Sequence, residues 1–178
     1  MKLLVVVAST TGRTRRMAES LAEGARAGGA QVLLRTPEDT QDADLLEADA
    51  IVLGSGVHMG GVASSMVALF ERAAPLWLAG RLRGKVGAAF VSAGEGERGG
   101  GELALLALLA WLAENGILLV PMHNRAQGFR DAGCHWGPLA RTNPKGGEVG
   151  PTEAQLLACR AHGEEIAACA RRWLAGAR

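Results

Sequence analysis

The sequence predicts an α/β protein built on a parallel sheet with helices on both faces. Three observations predict this class. Runs of valine, leucine, isoleucine and alanine alternate with segments of helical periodicity along the 178 residues. The first of these runs is unbroken by polar residues, as in a strand that is covered on both faces. Five strand–helix units in succession imply parallel strands, which are joined by right-handed crossovers.

Composition and charge indicate one globular domain spanning residues 1–178. Hydrophobic residues make up 48% of the chain and charged residues 21%, as in folded rather than disordered proteins. The formal net charge of +1 provides no general attraction for nucleic acid or for acidic membranes. The longest apolar run, Leu103–Ala113, is too short to span a bilayer. We therefore expect a soluble, cytoplasmic protein with no nucleic-acid partner and no membrane span.

The first part of the chain predicts three strands and one long helix. Lys2–Ala8 is an unbroken apolar strand, and Thr14–Gly28 is a helix whose apolar residues share one face. Gln31–Arg35 is a short second strand. Thr36–Glu47 is polar and acidic, and we expect a connection with about one helical turn. Asp49–Ser55 is the third strand, again apolar enough to be buried on both faces.

The second part of the chain predicts two more strands, two helices and a long loop. Ala63–Ala74 has inward-facing apolar residues at helical spacing, and Lys85–Ser92 is the fourth strand. Gly101–Asn115 is an apolar helix that ends in a plausible Asn-Gly cap. Ile117–Val120 is the fifth strand. Pro121–Gly150 is rich in glycine, proline and asparagine, which predicts a long functional loop.

A final helix begins at Thr152. The Thr-x-x-Gln pattern of Thr152 and Gln155 resembles a capping box, in which each side chain binds the other residue's backbone N–H. An apolar stripe at helical spacing then runs along Leu156, Cys159, Gly163, Ile166, Ala170 and Trp173. There is no internal repeat and no composition change that would mark a domain boundary.

The carboxyl ends of parallel strands predict where a ligand binds. In open α/β sheets, ligands bind beyond these ends, close to the point where the strand order reverses. The rule selects the loops after Ala8, Ser55, Ser92 and Val120. All four loops are rich in glycine, serine, threonine or histidine.

The loop Ser9–Thr14 has the composition of an anion site. It joins the first strand to the first helix, so backbone N–H groups of a helix N-terminus would face a bound phosphate. Ser9, Thr11 and Thr14 add hydroxyl donors, and Gly12 allows a close approach of the backbone. The lysine of a Walker A loop is missing, which argues against nucleoside triphosphate hydrolysis.

Three arginines, Arg13, Arg15 and Arg16, stand at the start of this helix. Cations at a helix N-terminus cost about 0.3–1 kcal/mol each unless an anion offsets them. The arginines therefore favour an anion site. On the residues of this loop alone, an ordinary helix cap followed by a solvated basic face remains the alternative.

Several motifs in order resemble one family. The pattern Ser9-x-Thr11-Gly12-x-Thr14 resembles the FMN phosphate loop of flavodoxins. Asp49–Gly60, Leu76–Gly87 and Ser92–Gly94 resemble segments of the WrbA-type NAD(P)H:quinone oxidoreductases. The resemblance implies a flavodoxin-like, doubly wound, five-stranded parallel sheet with strand order 2-1-3-4-5. It also implies FMN as cofactor, hydride transfer from NAD(P)H to FMN, two electrons passed to a quinone-type acceptor, and a dimer or tetramer.

The resemblance also assigns two loops to the flavin ring. Val57, His58 and Met59 would lie along the isoalloxazine, and Ser92–Arg98 would offer backbone donors to its polar edge. His58 is the candidate for a redox-linked proton donor, with an exposed loop histidine of no such role as the alternative. The glycine pattern from Gly94 matches a dinucleotide fingerprint, but it follows the fourth strand and not the first, which excludes that interpretation.

Two further residues follow from the resemblance. Trp77 corresponds to a family tryptophan that meets the flavin of a neighbouring subunit, although a buried tryptophan in a helix–helix corner is the alternative. Asn115 stands where the family often has a histidine near the ring, which leaves the electron acceptor open. The complete set of implied cofactor-binding residues is Ser9, Thr10, Thr11, Gly12, Arg13, Thr14, Val57, His58, Met59, Ser92, Ala93, Gly94, Glu95, Gly96, Trp77 and Asn115.

The cysteines predict neither a disulfide framework nor a metal site. Cys134, Cys159 and Cys169 cannot all pair within one chain, and none lies in a C-x-x-C motif. Cys134 precedes His135, which suggests a nucleophile–base pair, but adjacent residues point in different directions and we interpret the pairing as chance. His135 and Trp136 remain possibilities, because the family places active-site residues in this loop.

Three other functions compete with an oxidoreductase. A flavodoxin-like electron carrier would bind FMN without turning over a substrate, but such carriers are usually strongly acidic and this chain is not. A phosphorylated receiver domain would need acidic residues where Ala8, Ser9 and Ser55 stand, so we exclude it. A family member that binds FMN but has lost its activity stays open.

Overall fold

The computed structural model of the protein describes residues 1–94, 100–142 and 149–176. Strands and helices alternate along these residues as predicted. The strands are β1 (Lys2–Ala8), β2 (Gln31–Arg35), β3 (Ala50–Gly56), β4 (Val86–Ala93), β5 (Leu118–Leu119), β6 (Gly133–Cys134) and β7 (Gly137–Arg141). The helices are α1 (Arg13–Ala27), α2 (Asp42–Glu47), α3 (Ser64–Arg72), α4 (Ala74–Leu78), α5 (Glu102–Glu114), α6 (Phe129–Ala132) and α7 (Glu153–Gly176).

The sheet has the predicted order at its centre. Its strands run β2-β1-β3-β4, all parallel. Val5 at the middle of β1 lies beside Leu34 of β2 and Val52 of β3. The strand order reverses between β1 and β3, so the carboxyl ends of these strands form the crevice where the loops Ser9–Thr14 and Val57–Met59 begin.

Two strands share the fifth position. The short β5 pairs with the start of β4, where Leu118 lies beside Val86. The chain then leaves the sheet and returns as β7, whose Leu139 pairs with Val91 near the end of β4. The prediction of one long loop over Pro121–Gly150 is therefore wrong in part, because this segment contains α6, β6 and β7. Apolar periodicity missed β7 since Gly-Pro-Leu-Ala-Arg is a weak strand sequence that is stabilised by the open edge of β4.

Both faces of the sheet are buried, as the apolar strands predict. Alternate residues of β1 point to opposite sides. Val5 belongs to the core layer beneath α1 and α7, and Val6 belongs to the layer beneath α3 and α5. Each of these two side chains is fully buried, with an exposed fraction of 0%.

Helices α1 and α7 pack against each other at unusually short range. A β-carbon at Gly163 of α7 would collide with the carbonyl oxygen of Leu21, and one at Gly24 of α1 would collide with that of Arg160. Glycine is therefore required at the crossing, because only a missing side chain allows the two backbones to approach so closely.

The predicted capping box of the last helix is present. The N–H of Thr152 donates to Oε1 of Gln155 at 2.9 Å, and the N–H of Gln155 donates to Oγ1 of Thr152 at 3.3 Å. The predicted helix Ala63–Ala74 instead divides into α3 and α4, where Pro75 occupies the first turn of α4. Within the described residues, no helix combines the length and the apolar character needed to cross a membrane.

Candidate functional site

Three loops meet at the carboxyl ends of β1, β3 and β4. The hydroxyls of Thr14 and Ser92 share a buried hydrogen bond of 2.8 Å, which ties the start of α1 to the end of β4. The N–H of Val57 donates to the carbonyl of Ser92 at 2.9 Å. A β-carbon at Gly100 would lie 3.6 Å from Cγ1 of Val57. The loops that the sequence assigned to the phosphate and to the ring are thus in mutual contact.

The start of α1 has the features of an anion site. Gly12 is its N-cap with φ of 81°, and it provides no side-chain cap. Within the described residues, no acceptor faces the N–H groups of Arg13 and Thr14, and the first turn contains no acidic residue. Unpaired N–H groups at a helix N-terminus attract an anion through their partial positive charge. The space in front of Gly12 is open, with nothing within 4 Å of a β-carbon built there.

The side chains of this loop divide into two roles. The Ser9 hydroxyl accepts a hydrogen bond from the N–H of Arg15 at 3.1 Å, and it keeps its own hydrogen for a ligand. Thr10 and Thr11 are exposed at the rim, whereas Thr14 is buried. The Thr14 hydroxyl therefore holds the loop in place through Ser92.

The second loop is a tight turn with a strained residue at its tip. His58 and Gly61 exchange two backbone hydrogen bonds of 2.9 Å, which is the pattern of a two-residue hairpin. Met59 and Gly60 both have positive φ, of 49° and 83°, as a type I′ turn requires. A non-glycine residue in this region costs about 1–2 kcal/mol. Met59 is also completely exposed, so the turn holds an apolar side chain in solvent next to the loops of β1 and β4 at an energetic cost.

The third loop continues from β4. Ser92 and Ala93 are buried and Gly94 is exposed. The carbonyl of Ala93 accepts the N–H of Thr142 at 2.8 Å and the Thr142 hydroxyl at 3.1 Å, so β7 supports the end of β4. The predicted site residues Glu95 and Gly96 lie outside the described residues.

Known proteins with similar sequences identify the family. The flavodoxin domain family matches residues 4–85. An NAD(P)H dehydrogenase (quinone) of Paraburkholderia phymatum is 34% identical over 96% of this chain and 98% of its own length. A protein of the same name from Archaeoglobus fulgidus is 32% identical over 81% of this chain and 87% of its own length. The chain belongs to the NAD(P)H dehydrogenase (quinone) family.

Solved structures agree with this family and with the predicted fold. A WrbA-like flavodoxin from Agrobacterium tumefaciens has a TM-score of 0.77 and 25% identity, covering 96% of this chain and 98% of that one. A flavodoxin from the domain Archaea has a TM-score of 0.72 and 26% identity, covering 96% and 99%. The predictions of a flavodoxin-like fold and of a WrbA-type relationship are confirmed.

Two residues that the family resemblance implied stand far from this crevice. The indole N–H of Trp77 donates to the carbonyl of Glu114 at 3.1 Å, and Asn115 follows directly at the end of α5. Gly84, which precedes β4, donates its N–H to the carbonyl of Gly116 at 2.9 Å. Trp77 and Asn115 therefore lie at the amino ends of β4 and β5, opposite the loop Ser9–Thr14. Within one chain they do not reach the site.

The environments of these two residues differ. Trp77 is 43% exposed, so it is not the fully buried corner tryptophan considered as its alternative. Asn115 is 6% exposed, and its amide nitrogen donates to the carbonyl of Trp111 at 2.9 Å. Its Oδ1 is buried and has no hydrogen-bond partner within the described residues. Contact of either residue with a flavin stays a prediction that requires a neighbouring subunit.

The segment after α6 does not form a nucleophile–base pair. Cys134 packs against the core layer beneath α3 and α5. The ring of His135 lies 5.2 Å from that of Phe129, which packs against the opposite layer. Cys134, at the end of β6, and His135, in the turn that follows, thus contact different core layers. Trp136 is 52% exposed.

One residue of the site was missed from the sequence. The Ser55 hydroxyl accepts the N–H of Ala63 at 2.9 Å and donates to the carbonyl of Gly56 at 2.7 Å. It thereby closes the loop between β3 and α3 at its base. A buried serine at the end of an otherwise apolar strand was the available signal, because such a hydroxyl needs partners.

Proposed function

We propose that the protein is an FMN-dependent NAD(P)H:quinone oxidoreductase. The observation that carries this proposal is the contact between a basic helix N-terminus, whose N-cap is a glycine, and two loops from the neighbouring strands. One end of this crevice suits a phosphate, and the other presents an apolar side chain beside backbone polar groups. The names of the relatives support the NAD(P)H and quinone substrates.

The residues at the start of α1 fit the phosphate of FMN. The free N–H groups of Arg13 and Thr14 point out of the helix, and the Ser9 hydroxyl retains a hydrogen to donate. Arg15 pairs with Glu19 at 3.0 Å and Arg16 lies 4.0 Å from Glu153, so both remain partly neutralised at the surface. A phosphate dianion would offset the positive charge of the arginines and of the helix N-terminus.

The loops of β3 and β4 would orient the ring. Val57 and Met59 offer apolar contact to an aromatic face, and the polarizable thioether of Met59 suits such a contact. By the resemblance, the segment Ser92–Arg98 would supply backbone donors to the polar edge, and its residues from Glu95 on, including Gly96, lie outside the described residues. His58 is exposed beside the turn and is the side chain placed to hold or release a proton there.

When bound, FMN would supply the hydride and electron chemistry, so no side chain need act as a nucleophile. This agrees with the contacts of Cys134 and His135 with different core layers. The protein's part is to bind the phosphate, to position the ring and to leave one ring face open for NAD(P)H and then for the acceptor.

Steady-state kinetics test this function directly. Protein reconstituted with FMN should oxidise NADH or NADPH continuously when a benzoquinone is supplied, with parallel lines in double-reciprocal plots, as expected when the two substrates use one site in turn. A flavodoxin-like carrier would bind the same FMN and show no steady-state rate. A binding module would likewise hold FMN without turnover, and either result would refute the proposed activity.

A further inference from the structure

A second cavity lies between α7 and the chain that follows β5. One wall consists of residues between 120 and 127, and the other consists of α7 residues between 161 and 169. The volume of this cavity is about 900 Å³, which is within the range of small-molecule sites. The loop after Val120 is one of the four that the sequence selects for ligand binding, and the proposed flavin site does not use it. We name this space the α7 cavity.

The α7 cavity is separate from the crevice of the proposed flavin site. None of its described lining residues belongs to the three loops of that crevice. The N–H of Val120 donates to the carbonyl of Gly87 at 2.8 Å, so the cavity begins beside the second residue of β4. Ser92, at the crevice, is five residues further along this strand, at a distance of about 17 Å. Two ligands could therefore occupy the cavity and the crevice at the same time.

His162 is a buried lining residue of this cavity with an acceptor that lacks a partner. Its Nε2 lies 3.1 Å from the carbonyl oxygen of Val120, and since a carbonyl only accepts, Nε2 carries the ring hydrogen. Burial lowers the pKa of His162 to about 4, so the ring is neutral and Nδ1 is an acceptor. Within the described residues, Nδ1 has no hydrogen-bond partner. A ligand that donates a hydrogen bond to Nδ1 would satisfy this atom.

His135 contributes a second acceptor to the same cavity. Its Nδ1 lies 3.3 Å from the carbonyl oxygen of Met122, so Nδ1 carries the hydrogen of the neutral ring and Nε2 is the acceptor. Backbone carbonyls thus determine which nitrogen of each imidazole can receive a hydrogen bond. Among the described residues, no three histidines, cysteines or carboxylates are arranged to hold a metal ion. The ligand indicated by these acceptors is therefore an organic hydrogen-bond donor.

The polarity of the α7 cavity favours a neutral donor with an apolar body. Its charged lining residues, Arg125, Glu164 and Glu165, are all exposed, so charges of both signs are solvated at the rim. A cation that entered far enough to reach the buried His162 would lose its hydration beside apolar residues such as Val120. A phenol avoids this cost, because it combines an O–H donor with an uncharged, flat and apolar ring.

We propose that the α7 cavity binds hydroxylated aromatic compounds, with a phenolic O–H donating to Nδ1 of His162. Hydroquinones belong to this class. Quinones have carbonyl acceptors in place of the O–H groups and offer His162 no donor, so the cavity distinguishes the reduced form from the oxidised form. The link to turnover rests on the proposed function, in which a hydroquinone is the product. The protein then holds that product at a second place, outside the crevice.

A matched pair of ligands tests this chemistry on protein without added flavin. Thymol is a stable phenol, and in thymol methyl ether a methyl group replaces the phenolic hydrogen. Calorimetric titration should give an affinity for thymol about tenfold higher than for the ether, because only thymol satisfies the buried acceptor. Equal affinities for the two compounds, or no binding of thymol, would overturn the proposal.

Three variants locate the bound phenol. His162→Leu removes the acceptor and should lower the affinity for thymol about tenfold, to that of the ether. Cys169→Phe places a ring in the cavity from its α7 wall and should weaken the binding of both compounds. Leu157→Phe, on the same helix but outside the described lining of the cavity, is the control and should bind thymol as the wild type does.

Cys169→Phe leaves His162 in place, so it decides the location even if His162→Leu fails to fold. Circular dichroism establishes which variants are folded. Wild-type affinity for thymol in folded Cys169→Phe or in folded His162→Leu would contradict the assignment of this cavity.

Added FMN separates the cavity from the crevice. Protein saturated with FMN should bind thymol as tightly as flavin-free protein, because the two sites do not overlap. Competition between FMN and thymol would place the phenol in the crevice and overturn the proposal. Wild-type protein that binds thymol but no FMN would refute the proposed function and leave the phenol site intact.

The two redox forms of one quinone test the selectivity. Under anaerobic conditions, durohydroquinone should displace thymol, whereas duroquinone, which has the same ring substituents and no O–H group, should not. Equal displacement by the two forms would refute the distinction between them.

Discussion

Met59 has a backbone conformation, with positive φ, that non-glycine residues disfavour. Among the described residues, it is the non-glycine residue with positive φ, and its side chain is fully exposed. Neither feature stabilises the folded chain. Strain of this kind collects at functional sites, which agrees with the proposed contact of Met59 with the flavin ring.

Replacing Met59 with glycine separates stability from binding. Met59→Gly removes the cost of positive φ, so the free energy of unfolding should rise by about 1 kcal/mol. The same change removes the apolar contact with the ring, so FMN affinity should fall several-fold. Urea unfolding and flavin titration measure the two effects. If both quantities stay at their wild-type values, Met59 has no role at the ring.

His162 is a second residue whose environment has a measurable consequence. Its side chain is 1% exposed, and a ring nitrogen lies 3.1 Å from the carbonyl oxygen of Val120. Burial lowers the pKa of His162 from 6.5 to about 4, and the contacts with Val120 and Glu165 offset only part of this effect. His162 is therefore neutral in the folded protein near neutral pH.

The pKa of His162 predicts acid sensitivity. Between about pH 6.5 and pH 4 the unfolded chain binds a proton at this residue and the folded chain does not. Stability should thus fall as the pH drops through this window, by up to about 3 kcal/mol from this residue. Urea midpoints against pH should show a shallower acid slope for His162→Leu. Equal slopes in the wild type and in His162→Leu would refute this origin.

At the scale of elements, the contact between α1 and α7 positions the loop Ser9–Thr14. The α1 backbone is held by α7 at Gly24 and Gly163, and its N-terminus is held by Thr14 on Ser92. Helix α1 cannot move away from α7 or from β4 without losing these contacts. The N–H groups of Arg13 and Thr14 are therefore presented in a fixed direction.

Adding one methyl group at this crossing should disrupt the packing. Gly163→Ala places a β-carbon against the carbonyl of Leu21, which should cost about 1–3 kcal/mol of unfolding free energy. Gly176→Ala, in the same helix with nothing within 4 Å of the new carbon, should be neutral or slightly stabilising. Thermal or urea unfolding of both variants provides the comparison. Equal stability of the two would show that the backbones are not in close contact there.

The sequence predicted most elements but not the ones that depend on distant partners. Apolar runs such as Lys2–Ala8 were sufficient to predict the buried strands, because a strand covered on both faces consists almost entirely of apolar residues. Strand β7 forms because the end of β4 offers an unpaired edge, which no local pattern shows. The division at Pro75 was visible as a proline, but the continuation into α4 depends on packing.

At the scale of the whole molecule, the sheet brings the predicted loops together and keeps two predicted residues apart. The contact of Thr14 with Ser92 joins residues 78 positions apart, and it follows from strand order and not from local sequence. The same order sends Trp77 and Asn115 to the opposite edge. The order of elements along the chain already indicates this separation, because Trp77 and Asn115 precede the fourth and fifth strands, whereas ligand-binding loops follow the strands.

The central claim is that the loop Ser9–Thr14 binds the phosphate of FMN. Gly12 and Gly84 provide a matched pair for testing it, because their φ values are 81° and 80° and neither has an atom within 4 Å of an added β-carbon. An aspartate therefore strains the backbone equally at both positions. Only in Gly12→Asp does the introduced carboxylate lie next to the proposed phosphate.

Titration with FMN, followed by the visible absorption of the flavin, is the most direct measurement. Wild type and Gly84→Asp should bind one FMN per chain with similar affinity. Gly12→Asp should bind about a hundredfold more weakly, owing to charge repulsion at the helix end. No flavin bound by the wild-type protein, or equal affinity of the Gly12→Asp and Gly84→Asp variants, would contradict the assignment of this loop.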